Sequence, residues 1–217
     1  MKATTVKAFR SSTFDFPDLL TFLEKTGKKI YGEKFQIHDE DHLLIFKLLV
    51  YFFRDEEHCS KLEIDLNKGI LLSGPIGCGK TSLMNLMKYQ RPAKERHRMI
   101  STRKIAFQFN KDGYDVIEKY SARSFNFQAD PWVPITYCFD DLGVENNIKY
   151  YGNECNVMAE ILLSRYDLFI TNAMQTHATT NLNSSELETL YGNRVRSRMR
   201  QMFNLMGFDS KAKDKRI

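Results

Sequence analysis

The chain has 217 residues and a formal net charge of +5, and 42% of its residues are hydrophobic and 12% aromatic. This length fits one compact domain, alone or with a short appendage, and this composition excludes a chain that is disordered throughout. No stretch approaches the ~20 apolar residues of a membrane span, and the first residues lack the apolar core of a signal peptide. Four widely spaced cysteines lack zinc-type spacing, which favours reduced thiols. We therefore expect a cytoplasmic protein without a membrane partner.

The positive charge is concentrated at the C-terminal end of the sequence. From residue 194 to 217, eight basic residues stand against two acidic ones. A basic end on a near-neutral body can bind a polyanion such as nucleic acid. The same composition is equally typical of a solvated tail that binds nothing.

Helical and strand patterns alternate along the chain, beginning with two predicted helices. The first is a short amphipathic helix that starts near Pro17, and the second runs from Asp39 to about His58, with Asp39 or Asp41 as its N-cap. A short buried strand, 69–74, is then followed by a Gly-rich turn and a helix from Lys80 to about Tyr89.

The rest of the chain continues the alternation. Further strands are predicted at 104–109, 135–139, 175–180 and 202–206, and helices at 113–120, 153–166 and 185–190. Ser185 and Glu188 have the spacing of a capping box for the last of these helices. Strands that alternate with helices predict an α/β fold with a parallel sheet and helices on both of its faces.

The turn after the first strand carries a complete phosphate-binding motif. Residues 74–81 read Gly-Pro-Ile-Gly-Cys-Gly-Lys-Thr, which fits GxxxxGK[ST] between a strand and a helix. The glycines let backbone N–H groups approach phosphates, and the helix N-terminus directs its positive dipole end at them. The Lys80 ammonium neutralises the β and γ phosphates, while the Thr81 hydroxyl ligates Mg²⁺. We therefore expect ATP and Mg²⁺ to bind at Gly74, Pro75, Ile76, Gly77, Cys78, Gly79, Lys80, Thr81 and Ser82.

Two further strands end in polar residues that suit hydrolysis. The strand at 135–139 is followed by Asp140, expected to hold Mg²⁺, and Asp141, expected to polarise the attacking water. The strand at 175–180 is followed by Asn181, which would contact the γ phosphate or orient that water. Without the P-loop, a turn or helix cap would be the better interpretation of the acidic pair, and a β-turn that of the asparagine.

These three elements, in this order, resemble the Walker A, Walker B and sensor 1 elements of AAA+ ATPases. Residues 180–200, with the run TN…YGxRVxSRM, are similar to bacterial replicative helicase loaders (DnaC-like) and to ATP-binding proteins of insertion sequences (IstB-like). The resemblance covers roughly residues 60 to 208. It implies a P-loop NTPase three-layer sandwich of the AAA+ type, with a parallel five-stranded sheet in the order 5-1-4-3-2.

The same resemblance assigns an arginine finger to Arg198 and a second functional arginine to Arg194. Helical periodicity, counted from a helix start at Asn193, places both on an exposed face. An exposed guanidinium can reach the γ phosphate held by a neighbouring subunit and stabilise the transition state. We therefore expect the protein to self-associate on ATP.

Two features depart from the AAA+ pattern. Asp141 stands where AAA+ proteins usually have glutamate, and its shorter side chain implies slow hydrolysis. Few residues follow the last strand, so no C-terminal helical lid is expected, and adenine recognition would fall to residues near 37–48. The predicted organisation is a short helical N-terminal extension (1–60), an ATPase core (61–208) and a basic C-terminal tail (209–217).

Three functions stay open on the sequence. The leading hypothesis is an ATP-hydrolysing helicase loader or DNA replication accessory factor that binds single-stranded DNA and a replicative helicase. The second is a transposition helper ATPase that binds duplex DNA and a transposase. The third is a nucleotide-gated DNA-binding module with negligible turnover, which Asp141 permits. A small-molecule kinase is disfavoured because no substrate-binding lid can be identified.

Overall fold

The computed structural model describes residues 11, 13–145, 148–150 and 153–216. The chain divides into two compact units. One unit contains the chain up to Leu66 together with Ser82–Arg96, and the other contains Asn67–Thr81 and the chain from His97 onwards. The three-part division at residues 60 and 208 stays a prediction. In the described ranges, every helix is too short or too polar to cross a membrane.

The first unit is helical, with α1 (Phe16–Tyr31), a 3₁₀ turn (Asp39–Asp41), α2 (His42–Phe52), α3 (Glu56–Lys61) and two 3₁₀ turns (Lys88–Gln90 and Ala93–Glu95). As predicted, Pro17 lies in the first turn of α1, and the Asp15 side chain caps this helix. The single helix predicted from Asp39 to His58 is wrong. Arg54 adopts a left-handed φ of 55°, and Asp55 then caps a new helix.

The second unit contains a parallel sheet of five strands, β1 (Gly69–Ser73), β2 (Arg98–Ser101), β5 (Tyr137–Leu142), β8 (Thr176–Thr180) and β9 (Phe203–Gly207). Their order is β2-β5-β8-β1-β9. Numbered along the chain and counted from the β9 edge, this is the predicted order 5-1-4-3-2, which is therefore confirmed. Two antiparallel hairpins accompany the sheet, formed by β3 (Phe125–Asn126) with β4 (Val133–Pro134) and by β6 (Ile148–Tyr150) with β7 (Asn153–Cys155).

Five helices connect the strands: α4 (Lys80–Met87), which begins in the second unit and ends in the first, α5 (Thr102–Asp112), α6 (Asp115–Tyr120), α7 (Val157–Asn172) and α8 (Ser184–Met202). The strand predicted at 104–109 is wrong, because these residues belong to α5 and the strand lies at 98–101. Alternation of Ile105, Phe107 and Phe109 matched a strand, but Phe107 is 60% exposed while the other two are buried at helical spacing.

Helix α8 begins and bends differently from the prediction. Its capping box is formed by Asn183 and Glu186, whose side chains accept each other's backbone N–H groups, and not by Ser185 and Glu188. Gly192 has a φ of 81° and interrupts the helix, so the predicted helix at 185–190 and the one predicted to start at Asn193 are its two halves. Beyond β9, the described residues 208–216 contain a turn and no helix.

Both faces of the sheet are buried, as the predicted three-layer arrangement requires. On one face, Leu71, Phe139 and Ala178 pack in a single hydrophobic cluster with residues of α5, α6, α7 and α8. On the other face, Ile70 and Cys138 are fully buried. A rigid, doubly covered sheet holds the ends of its strands in a fixed arrangement, which is where the candidate site lies.

Candidate nucleotide-binding site

Strand β8 brings the three predicted site elements to one edge of the sheet. It pairs with β1, with Ser73 opposite Thr180, and with β5, with Leu142 opposite Thr180. Gly74 is the first residue of the P-loop, and its N–H donates to the Thr180 carbonyl oxygen at 3.2 Å. The P-loop, the acidic pair and Asn181 therefore follow neighbouring strand ends, where α/β sheets bind ligands.

The P-loop has the backbone shape that a phosphate cradle needs. Gly77 and Gly79 have φ values of 79° and 102°, which other residues adopt only at a cost. The Lys80 ammonium donates to the Gly74 and Pro75 carbonyl oxygens, both at 2.8 Å, and the residue is 6% exposed. α4 begins at Lys80, so its N-terminus opens on the loop. A loop of this shape, with a lysine in its centre, fits a nucleotide phosphate chain.

The two predicted metal ligands lie within hydrogen-bond distance of each other. The Thr81 hydroxyl donates to Asp140 Oδ1 at 2.9 Å, and the Thr179 hydroxyl donates to the same oxygen at 2.8 Å. Burial raises the pKa of Asp140 above its usual range, while the two hydroxyl bonds act against that rise. A hydroxyl beside a half-buried carboxylate is a ligand set that Mg²⁺ accepts, and a cation there would offset the cost of partly burying the charge.

Asp141 lies in a bulge at the end of β5. The pairing of β5 with β8 shifts register between Phe139 and Leu142, and Asp141 has a φ of 59°. Its N–H donates to Thr179 Oγ1 at 2.9 Å, and its carbonyl oxygen accepts the Thr102 hydroxyl at 2.8 Å. Bulges redirect side chains next to functional sites, and a positive φ outside glycine is sparsely populated. The bulge therefore gives Asp141 an environment different from that of Asp140.

Asn181 directly follows Thr180, the residue of β8 that pairs with both β1 and β5. Thr180 is fully buried, and its hydroxyl donates to the Leu142 carbonyl oxygen at 2.8 Å and accepts the Leu182 N–H at 3.1 Å. These bonds place the half-buried Asn181 between the strand of the P-loop and the strand of the acidic pair. The position agrees with the predicted one, and the catalytic role stays a prediction.

Two contacts near the candidate site were missed from the sequence. One is Thr179, whose alternation with Thr180 along a strand could have indicated that its hydroxyl faces the acidic pair. The other is Glu145, which is 8% exposed and accepts the Gly143 N–H at 3.0 Å and the Tyr191 hydroxyl. Burial beside Glu145 raises the pKa of Tyr191. No local pattern indicated this second contact, which joins the segment after β5 to the middle of α8.

The predicted arginine finger of α8, Arg198, is separated from the P-loop of its own chain. α8 ends at Met202, and β9 then starts opposite Gly69, the first residue of β1, while the P-loop follows the last residue of β1. Arg198 precedes β9 by one helical turn, and its guanidinium lies 4.8 Å from the centroid of the Tyr166 ring. Its exposure is therefore lower than predicted, whereas Arg194 is exposed as predicted.

The chain matches no protein-family model and no curated protein. Its structure is similar to a protein provisionally described as a primosome component of Streptococcus pyogenes serotype M3, with a TM-score of 0.54 and 14% identity over 98% of this chain and 100% of that one. Lower TM-scores relate it to the DnaC helicase loader (0.47, 19% identity, 66% and 79% of the two chains) and to DnaI (0.49, 17% identity, 80% and 87%). The first similarity extends over nearly the whole of both chains and shows a shared fold, in agreement with the predicted α/β class and the five-stranded parallel sheet.

Replacing the P-loop lysine tests the site directly. Lys80→Ala should reduce ATP affinity by about 100-fold or more, because the loop loses its buried counter-charge for the phosphates. Titration of a fluorescent ATP analogue measures this change. Lys61→Ala removes an exposed lysine of α3 and should bind like the unmodified protein. An affinity for Lys80→Ala within a few-fold of that control would contradict the assignment of the site.

Proposed function

We propose that this protein is a cytoplasmic ATPase that binds ATP with Mg²⁺ and acts as a helicase loader or replication accessory factor on single-stranded DNA. The observation that carries ATP binding is the contact of Thr81 with Asp140 beside the P-loop lysine. The replicative role is supported by the sequence resemblance of residues 180–200 to helicase loaders. It agrees with the description of the structurally similar protein as a primosome component.

Each site residue then has a definite task. Lys80, which donates to the loop carbonyl oxygens, would neutralise the phosphates, and Thr81 and Asp140 would hold Mg²⁺. Bound Mg²⁺ supplies charge neutralisation at the phosphate oxygens. Asp141 accepts a proton from the attacking water, which Asn181 helps to orient. The glycines and the start of α4 supply N–H groups for the negative charge that develops on the phosphates.

Asp141→Asn should bind ATP within a few-fold of the unmodified protein and lose turnover by about 100-fold or more, since the amide cannot accept the proton. Nucleotide titration and phosphate release measure the two effects. Glu145→Gln is the matched control. The Glu145 carboxylate already accepts hydrogen bonds from Gly143 and Tyr191, so its replacement should leave turnover nearly unchanged. If Glu145→Gln is inactive while Asp141→Asn is active, the base has been assigned to the wrong residue.

A nucleotide-gated module with negligible turnover is the second candidate, and Asp141 in a bulge favours it. The short side chain reaches less far than glutamate, so ATP can be held without being hydrolysed. Phosphate release measured with and without single-stranded DNA distinguishes the two candidates. Turnover no higher than that of Lys80→Ala in both conditions would favour the module.

The surface that best fits single-stranded DNA is the exposed face of α5. Its outward residues combine cations with an aromatic ring, and they are Arg103, Lys104, Phe107, Asn110 and Lys111. The Phe107 ring is 60% exposed, and the Arg103 guanidinium lies 5.4 Å from its centroid. Tyr114, just after the helix, is 55% exposed. Rings between cations bind unpaired bases by stacking and phosphates by charge, whereas duplex DNA offers no free base faces.

Phe107→Ala should weaken single-stranded DNA binding by about 5-fold to 100-fold, the usual effect of one lost base–aromatic stack. Lys111→Gln should instead lower the slope of log affinity against log salt by about 0.7. Fluorescence anisotropy with a labelled oligonucleotide at several salt concentrations measures both. Phe127→Ala removes another ring, 53% exposed, that lies outside this face and should have no effect. Equal losses for Phe107→Ala and Phe127→Ala would contradict the proposed interface.

Self-association on ATP is proposed from the position of Arg198. The residue lies about 7 Å from the start of β9 along the helix, at a rise of ~1.5 Å per residue. β9 starts opposite Gly69, at the N-terminal end of β1, whereas the P-loop follows the C-terminal end of β1. Its guanidinium can therefore act on a nucleotide only if that nucleotide is held by another copy of the chain. The Tyr166 ring supports the guanidinium at the surface.

Arg198→Ala should bind ATP normally and hydrolyse it ~10³-fold more slowly, the low end for an arginine finger. A mixture of Arg198→Ala with Lys80→Ala, each inactive alone, should recover part of the activity, because an intact pocket then meets an intact arginine. Arg200→Ala, an exposed arginine of the same helix, is the control and should stay active. Absence of recovery at concentrations where the unmodified protein assembles would contradict a finger in trans.

A further inference from the structure

Residues 208–216 fold back onto the P-loop. The Phe208 N–H donates to the Ser73 carbonyl oxygen at 2.9 Å, and the Phe208 side chain lies so close to Gly74 that a Cβ atom there would be 2.9 Å from it. At the other end of the segment, the Lys215 N–H donates to the Gly77 carbonyl oxygen at 3.0 Å. Both ends of the segment therefore rest on the loop. We call residues 208–216 the latch.

The latch has internal order of its own. The Asp209 side chain accepts the Lys211 N–H at 2.8 Å, and the Asp214 side chain accepts the Arg216 N–H at 3.0 Å. The Lys215 ammonium lies 5.0 Å from the centroid of the Phe208 ring, which joins the two ends of the segment. The segment predicted as a basic tail is thus a folded element on the nucleotide-binding loop.

The Asp214 side chain packs against the loop at Gly77. A Cβ atom at Gly77 would collide with the Asp214 carboxylate, so the carboxylate rests directly on the loop backbone. Gly77 is the fourth residue of the motif, inside the turn whose N–H groups bind phosphate. A negative charge at this position repels the phosphates of an arriving nucleotide. The repulsion is strong because the charges would be a few ångströms apart at a partly buried site, where water screens them less than in bulk.

We propose that the latch lowers the affinity of the P-loop for nucleotide and that Asp214 is the residue that sets this affinity. The inference rests on the proposed ATP binding. Binding linkage is reciprocal. If the docked latch lowers the affinity for nucleotide, bound nucleotide must lower the affinity of the latch for the loop by the same factor. ATP therefore loosens residues 208–216 and makes their lysines and arginine available to a polyanion.

The test removes the charge and keeps the shape. Asp214→Asn retains the oxygen that accepts the Arg216 N–H but loses the negative charge. Asp209→Asn is the matched control, because it makes the same change at the other aspartate of the segment, whose side chain accepts the Lys211 N–H. On the full chain, a fluorescent ATP analogue with Mg²⁺ should bind Asp214→Asn about 5-fold to 10-fold more tightly than the unmodified protein, within the usual range of coupling. Asp209→Asn should bind within about 2-fold.

Equal affinities for the two variants would overturn the latch while leaving ATP binding intact. Affinity in the unmodified protein no better than in Lys80→Ala would instead overturn the proposed function, and the latch with it. Hydrogen exchange gives a second readout: a saturating non-hydrolysable ATP analogue should speed exchange of the Lys215 amide by several-fold in the unmodified protein. Unchanged or slower exchange of that amide would overturn the linkage.

Discussion

The candidate site depends on the pairing of β8 between β1 and β5. This strand reads Thr-His-Ala-Thr-Thr and is completely buried, although four of its five residues are polar. Each of those side chains has a partner: Arg165 donates to Thr176 at 2.7 Å, His177 Nδ1 accepts the Ile70 N–H at 2.9 Å, and the last two hydroxyls bind at the site. A slip of one residue would leave these groups unpaired in the core, so polar satisfaction specifies the register.

Burial of polar groups around β8 has consequences for charge. Burial lowers the pKa of His177 well below its usual range, which keeps the ring neutral and able to accept the Ile70 N–H. Burial also raises the pKa of Asp140, and that residue faces two hydroxyls and a lysine. The adjacent Asp141 lies in a bulge with its backbone bonded to Thr179 and Thr102. Neighbouring carboxylates with different surroundings can take different roles, one with the metal and one with water.

Residues outside the motif reach the site in two ways. The latch acts on the P-loop of its own chain, through the contact of Asp214 and Lys215 with Gly77. Arg198 lies near the start of β9, which pairs with Gly69 at the end of β1 away from the P-loop, so its proposed role as an arginine finger requires a second copy of the chain. In the proposed arrangement, nucleotide binding depends on the docking of the latch, and hydrolysis depends on the assembly of subunits.

Local patterns in the sequence indicated the P-loop, the acidic pair and Asn181, because each rests on neighbouring residues, and a resemblance carried by a continuous run implied the strand order. The same reasoning failed at 104–109, since residues 105, 107 and 109 alternate like a strand and only burial distinguishes them from a helix with one exposed aromatic residue. Tertiary structure alone decided that Thr179 bonds both aspartates, that Arg198 lies on Tyr166 and that Asp214 lies on Gly77. These contacts join residues far apart in the chain, and their geometry follows from strand register and chain reversal, which no local pattern encodes.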